Sequence, residues 1–159
     1  MENEHEVCII IGASHAAAHI APSLRQNGWK GKILLVGEEE ELPYHRPPLS
    51  KAYLLGKKDE SQIIIRNKAS YEKMGVDLKL GARVVAINRE TKSLMLADQS
   101  ELSYDKLAIA IGGRVRKLNV PGSNLQNVFY LRSKKDSNVL RSSIMPGKKA
   151  IIIGGGYIG

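Results

Sequence analysis

At 159 residues the chain has about the length of one domain. It is 43% hydrophobic and 25% charged, enough apolar residues for a core and not a disordered composition. The formal net charge of +8 is spread over scattered Lys and Arg without aromatic interleaving or a nucleic-acid module, which favours an anionic cofactor or an acidic protein over nucleic acid. Cys8 is the only cysteine, which excludes an internal disulfide, a cysteine-based metal site and a dithiol redox pair within these residues. It sits in the apolar run VCIIIG and reads as a buried small hydrophobe. The longest apolar runs, Val7–Ile11 and Ala150–Ile153, are too short to span a bilayer. The opening MENEHE is acidic where a secretory signal is basic, so the expected location is the cytoplasm, with no membrane partner.

In chain order, VCIIIGASHAAAHIAPSLRQNGW predicts a β-branched strand, a small-residue turn and a helix ending at Asn27-Gly28. KILLVG (Lys32–Gly37) predicts a buried parallel strand that completes a βαβ unit. PPLSKAYLLG predicts a short helix opened by proline, IIIR (Ile63–Arg66) a brief strand, and KASYEKMG a short helix closed by Gly75. From Gly81 to Gly113 the alternation predicts an antiparallel meander, with turns at Asn88–Thr91 and Asp98–Ser100, feeding a buried strand over Lys106–Ile111. RSKKDSNVLRSSI predicts a helix with Ser133 as N-cap and Asp136 three residues on. KKAIIIGGGYIG repeats the opening strand and glycine turn. The expected class is α/β: a parallel sheet with a small antiparallel appendage.

The segment GASHAA, Gly12–Ala17, stands where a G-x-G-x-x-G turn would approach a pyrophosphate, with Ser14 and Ala17 in place of the second and third glycines. Glu38 ends the next strand at the distance expected of a ribose-binding carboxylate, although an exposed strand-end glutamate would look the same. GGGYIG, Gly154–Gly159, keeps all three glycines, but the helix it should open is absent from the sequence. His15 and His19 stand four apart without a third ligand at suitable spacing, so no metal site is expected.

The two turns, together with LPYHRPPLSKAYLLG and YDKLAIAIGGRVRKLNVPG between them, resemble the FAD-dependent NAD(P)H reductases of ferredoxin and rubredoxin, the putidaredoxin-reductase-like flavoproteins. The resemblance runs over essentially the whole chain, and R-P-P-L-S-K is its most specific part. The AIGG strand end matches the family's A-T-G turn, with Ile111 replacing Thr. It implies a Rossmann-like FAD-binding domain of three-layer ββα type, represented by its N-terminal part over 1–113. A connection and helix would follow over 114–147, and the first strand and glycine turn of an NAD(P)-binding domain over 148–159. It implies FAD contacts from Gly12, Ser14, His15 and Ala16 at the pyrophosphate, Glu38 at the ribose and the backbone of Val84 at adenine. Arg46, Lys51, Ala110, Gly112 and Arg132 complete the FAD set, with Lys51 tuning the flavin. Gly154, Gly156 and Tyr157 belong to the NAD(P)H turn. The implied activity passes electrons from NAD(P)H through FAD to a small acidic iron–sulfur protein, a ferredoxin or rubredoxin. Two rivals stand beside it. A disulfide reductase or NADH oxidase needs a redox thiol that Cys8, on the first strand, does not supply. A truncated, non-catalytic FAD-binding or partner-binding remnant, prone to self-association through uncovered apolar surface, is the alternative from another class.

Overall fold

The computed structural model describes residues 4–156, which divide into two compact units: residues up to Tyr44 with Ile64–Gly112, and His45–Ile63 with the residues from Gly113 onward. The first unit opens with β1 (Val7–Ile11), α1 (His15–Gln26) and β2 (Lys32–Val36). It continues through α2 (Lys68–Lys73) and β3 (Val76–Lys79) into β4 (Val84–Asn88), β5 (Ser93–Leu96) and β6 (Glu101–Ser103), and ends with β7 (Lys106–Ile109). The four parallel strands lie in the order β3-β2-β1-β7, and β4-β5-β6 form an antiparallel sheet. This is the α/β class read from the sequence.

Alternation along β1 builds the layers. Ile10 faces one way, clustering with Ala17 and Ala21 of α1, Tyr71 of α2, and Ile33 and Leu35 of β2. Ile9 and Ile11 face the other way, clustering with Val36 and with Leu94 and Leu96 of β5. Successive side chains of a strand point to opposite faces, so one apolar run supplies two cores. Helices, parallel sheet and antiparallel sheet thus stack in three layers.

One arginine fastens the helical side. Arg25, in the last turn of α1, donates to four backbone carbonyls: Met74 (2.8 Å), Gly75 (2.7 Å), Trp29 (2.9 Å) and Gly31 (2.7 Å). A cation there also complements the negative end of the helix. The carbonyls belong to the turn after α1 and to the turn between α2 and β3, so a single guanidinium fixes the chain just before β2 and just before β3. Pro22, inside α1, lacks the N–H that would bond the carbonyl of Ala18. Arg66 Nη1 donates to that carbonyl instead, at 3.2 Å.

Several elements differ from the sequence reading. PPLSKAYLLG forms only one 3-10 turn, Pro47–Ser50, followed by further turns. Its bonds run Leu49 N–H to Arg46 O and Lys51 N–H to Pro48 O, the i to i+3 pattern of a 3-10 turn. Ile63–Arg66 contributes a single antiparallel bridge, Ile64 with Tyr44, rather than a strand. Strand β7 is shorter than expected and is not buried. It is the edge of its sheet, with Ile109 61% exposed. Residues 150–156 form no strand, and Ile151, Ile152 and Ile153 are exposed, since an isolated apolar run has no ladder partner among the described residues.

The second unit has one helix, α3 (Lys134–Ser143), whose capping box is the one expected: the Ser133 hydroxyl accepts from Asp136 N–H, and the Asp136 carboxylate accepts from Ser133 N–H. Among the described residues no helix is long and apolar enough to cross a membrane.

Replacing Arg25 with Ala strands four carbonyls; hydrogen bonds to a charged group contribute about 1.5–3 kcal/mol net apiece, and at these partly exposed carbonyls water replaces part of that. We expect Arg25→Ala to destabilise the chain by about 3 kcal/mol in urea titrations followed by Trp29 fluorescence, with Arg25→Lys recovering a minor part. Tyr71 is wholly buried and its hydroxyl has no hydrogen-bond partner among the described residues; burial pushes its pKa up. Tyr71→Phe should therefore leave stability unchanged or raise it by about 1 kcal/mol in the same titration, since it removes a desolvated polar group.

Candidate functional site

The C-terminal ends of β1, β2 and β7 converge on the β1–α1 turn. Gly12 has φ +112°, and its N–H donates to Val36 O at 2.7 Å. A Cβ at Gly12 would stand 2.2 Å from the carbonyl oxygen of Ala110. Both the backbone conformation and the space require glycine here. Gly37 is the second such position: a Cβ there would lie 2.5 Å from the Cβ of Ala13. These two glycines let the turn fold down between the ends of β1 and β2. Sequence reasoning misses Gly37, although a glycine directly before the strand-end carboxylate is the available signal.

Ser14 is the N-cap of α1 in extended conformation, and α1 begins at His15. By helix geometry the N–H groups of the first turn have no acceptor within the helix and, with the dipole, present a positive end. Ala16 is exposed there, whereas Ala17 and Ala18 are buried against the sheet. Ala at the third glycine position therefore serves the purpose of close helix–sheet packing. His19 is exposed on α1, and no metal-ligand cluster occurs among the described residues.

Glu38 follows Gly37 at the end of β2 and forms an ion pair with Arg83, at 3.7 Å, with both side chains more than half exposed. Such a pair contributes at most about 1 kcal/mol, so incoming hydroxyl donors can compete for the carboxylate. Backbone bonds from Ala82 N–H to Gly37 O (2.7 Å) and from Gly81 N–H to Glu39 O (3.0 Å) draw the start of β4 to the same place. Val84, the first residue of β4, is half-buried beside it. Ala110 is buried and donates to Ile11 O, while Gly112 has φ +64°. The structure thus gathers Gly12, Ser14, His15, Ala16, Glu38, Val84 and Ala110 along one end of the parallel sheet, where open α/β sheets bind their ligands. The Gly12 cradle, the helix end and the carboxylate suit a dinucleotide: space for backbone approach, a positive terminus for the pyrophosphate, and an acceptor for ribose hydroxyls.

In the second unit Arg46 Nη1 donates to the carbonyl of Arg132 at 2.9 Å, so these two predicted residues lie together. Lys51 is exposed at the end of the 3-10 turn. Gly154 and Gly156 lie in exposed chain that forms neither strand nor helix, and the strand expected before this turn is not formed. Tyr157 lies outside the described residues. Cys8 is buried on β1, and burial raises its thiol pKa, which keeps it protonated and inert as a nucleophile.

Comparison with known proteins agrees with this geometry. The family model described as pyridine nucleotide-disulphide oxidoreductase matches residues 6–159. The chain is 44% identical over 157 residues to the probable ferredoxin reductase CtmF of Castellaniella defragrans, covering 99% of the chain and 38% of that protein. It is 38% identical over 160 residues to putidaredoxin reductase CamA of Pseudomonas putida, again covering 38% of that protein. Among solved structures, the covalent putidaredoxin reductase–putidaredoxin complex superposes with a TM-score of 0.88 at 37% identity, over 98% of this chain and 38% of the reductase. The chain therefore spans well under half the length of these relatives. With its sheet order, its glycine-bound turn and a family match over nearly every residue, the chain belongs to the pyridine nucleotide-disulphide oxidoreductase family.

Proposed function

We propose that the chain is the N-terminal part of an FAD-dependent NAD(P)H:ferredoxin or rubredoxin reductase, with residues 1–113 belonging to its FAD-binding domain. The 114–147 segment then leads towards the NAD(P)-binding domain that begins near 148. The observation that carries this reading is the Gly12 turn, closed against Ala110 and opening α1 opposite Glu38. Gly12, Ser14, His15 and Ala16 would hold the pyrophosphate, Glu38 the ribose and Val84 the adenine face, with Ala110 and Gly112 lining the ring side. When bound, FAD would accept a hydride from NAD(P)H and release electrons singly to an iron–sulfur protein.

The chain's own residues would bind, orient and bias that chemistry. On the resemblance of RPPLSK, Lys51 would place a cation at the flavin and favour electron acceptance there. Arg46 and Arg132 complete the FAD contacts on the same ground. Gly154, Gly156 and Tyr157 would serve the nicotinamide donor in a complete protein. Since residues 150–156 form neither strand nor helix, we expect no nicotinamide binding by these 159 residues.

Charge supports an acidic electron acceptor. The second unit holds 13 of the 24 Lys and Arg but only 3 of the 16 Asp and Glu, a formal +10 that leaves −2 for the first unit. A cationic unit accelerates encounter with an acidic partner and does so less as salt rises. Function on NAD(P)H and a lone, buried free thiol suit the cytoplasm.

The test of the FAD reading is binding. The 159-residue chain should bind FAD weakly but measurably in an equilibrium titration of flavin fluorescence, and Gly12→Ala should abolish this, because the left-handed backbone and the Ala110 carbonyl both oppose a Cβ. Gly12→Ala that binds FAD as wild type would overturn the assignment of the turn. In FAD-loaded protein, Lys51→Ala should lower the flavin midpoint potential. A unit charge about 4 Å away is worth up to ~4 kcal/mol at an effective dielectric near 20, and solvent reduces this to ~1–2 kcal/mol. For a two-electron couple that is roughly 20–45 mV. Spectroelectrochemistry showing an unchanged or raised potential would remove Lys51 from the flavin.

A further inference from the structure

The fully buried residues of helix α3 are polar where an apolar stripe would be usual; Leu140 is half-buried, and Asn138 and Arg141 are exposed. Its buried residues are Lys134 and Ser137, while Val139 is exposed. Lys134, Ser137, Asn138 and Arg141 stand at i, i+3, i+4 and i+7, a single face of the helix. Every one of them meets the 45–63 loop of the same unit. Lys134 Nζ pairs with Glu60 at 2.5 Å. The Ser137 hydroxyl, wholly buried, donates to Leu49 O at 2.8 Å. Asn138 Oδ1 accepts from the Tyr53 hydroxyl at 3.0 Å. The Arg141 guanidinium packs on Gly56, where a Cβ would meet Nη2 at 2.6 Å. One residue before the N-cap, Arg132 O accepts from Arg46.

We propose that this polar face sets the register of the RPPLSK loop, and that Ser137 and Asn138 are positioning residues for Lys51. Apolar faces attract without direction and permit sliding, whereas hydrogen bonds of fixed geometry hold one alignment. The two bonds flank Lys51. Ser137 holds the carbonyl two residues before it, and Asn138 holds the side chain two residues after it. Within the same turn, Lys51 N–H and Tyr53 N–H both bond to Pro48 O, at 2.9 and 3.0 Å. A short turn pinned at both ends can carry an exposed cation at a fixed height without burying it. The consequence for flavin binding rests on the function proposed above; the positioning itself does not.

The experiment is amide hydrogen exchange by NMR on the 159-residue chain. Ser137→Ala, Ser137→Cys and Asn138→Ala should each speed exchange at Lys51 and Tyr53 about tenfold or more, leaving β1 and β2 unchanged. The alanine variant loses the donor and leaves space, whereas the cysteine variant weakens the donor and fills the space with a larger atom, so agreement between the two separates hydrogen bonding from packing. Tyr53→Phe should reproduce Asn138→Ala, and the double variant should equal either single one, since both remove the same bond. Unchanged exchange at Lys51 and Tyr53, equal acceleration throughout the chain, wild-type behaviour of Ser137→Cys, or additive effects in the double variant would each overturn the proposal. On FAD, Ser137→Ala should raise the dissociation constant about three- to tenfold without changing that for ADP. If wild type binds no FAD, the flavin reading fails while the exchange result still decides the positioning.

Discussion

The approach of Gly12 to the carbonyl of Ala110 is the constraint on which the candidate site depends. It brings the ends of β1 and β7 to a separation no side chain could share, and it turns the chain into α1. Gly37 does the same beside β2 by admitting Ala13. Given those two contacts, the helix terminus, the Glu38 carboxylate and the start of β4 arrive together without further adjustment. The helical layer is then held by Arg25, whose four carbonyl bonds link the end of α1 to the start of β3.

Much of this is legible in the sequence, for physical reasons. Continuous apolar runs bounded by glycine announce buried parallel strands, and Val7–Ile11 and Lys32–Val36 form them. The turns of the meander are equally clear: Asn88 accepts from the backbone N–H groups of Glu90 and Thr91, and Asp98 from that of Ser100, as such side chains do at turns. The sequence misleads where apolar character is equated with pairing. Ile63–Ile65 and Ile151–Ile153 are as β-branched as β1, but a strand is defined by its neighbours. The proline loop misleads for the opposite reason. Proline opens helices readily, but the i to i+3 bonding here leaves only a 3-10 turn.

What composition hides is the arrangement of charge and of polar contacts. Read along the chain, the Lys and Arg residues look scattered. Divided by compact unit, the positive excess lies wholly in the second, which holds only 3 of the 16 acidic residues. Likewise KKDSNVLRSS announces its cap but not its purpose. Its inner face is polar, and hydrophobic periodicity cannot report a stripe built from Lys134, Ser137 and Asn138. Only the partners, Glu60, Leu49 O and the Tyr53 hydroxyl, reveal it.

The central claim is that the β1–α1 turn receives the pyrophosphate of a dinucleotide while Glu38 receives its ribose. Titrating ADP into the isotopically labelled chain, and following backbone amide shifts, addresses it without flavin or nicotinamide chemistry. The account predicts saturable shifts concentrated at Gly12–Ala17, Glu38 and Val84, weakened selectively by Glu38→Ala. Shifts confined to the cationic second unit, or a Glu38→Ala variant that binds ADP as wild type does, would contradict it.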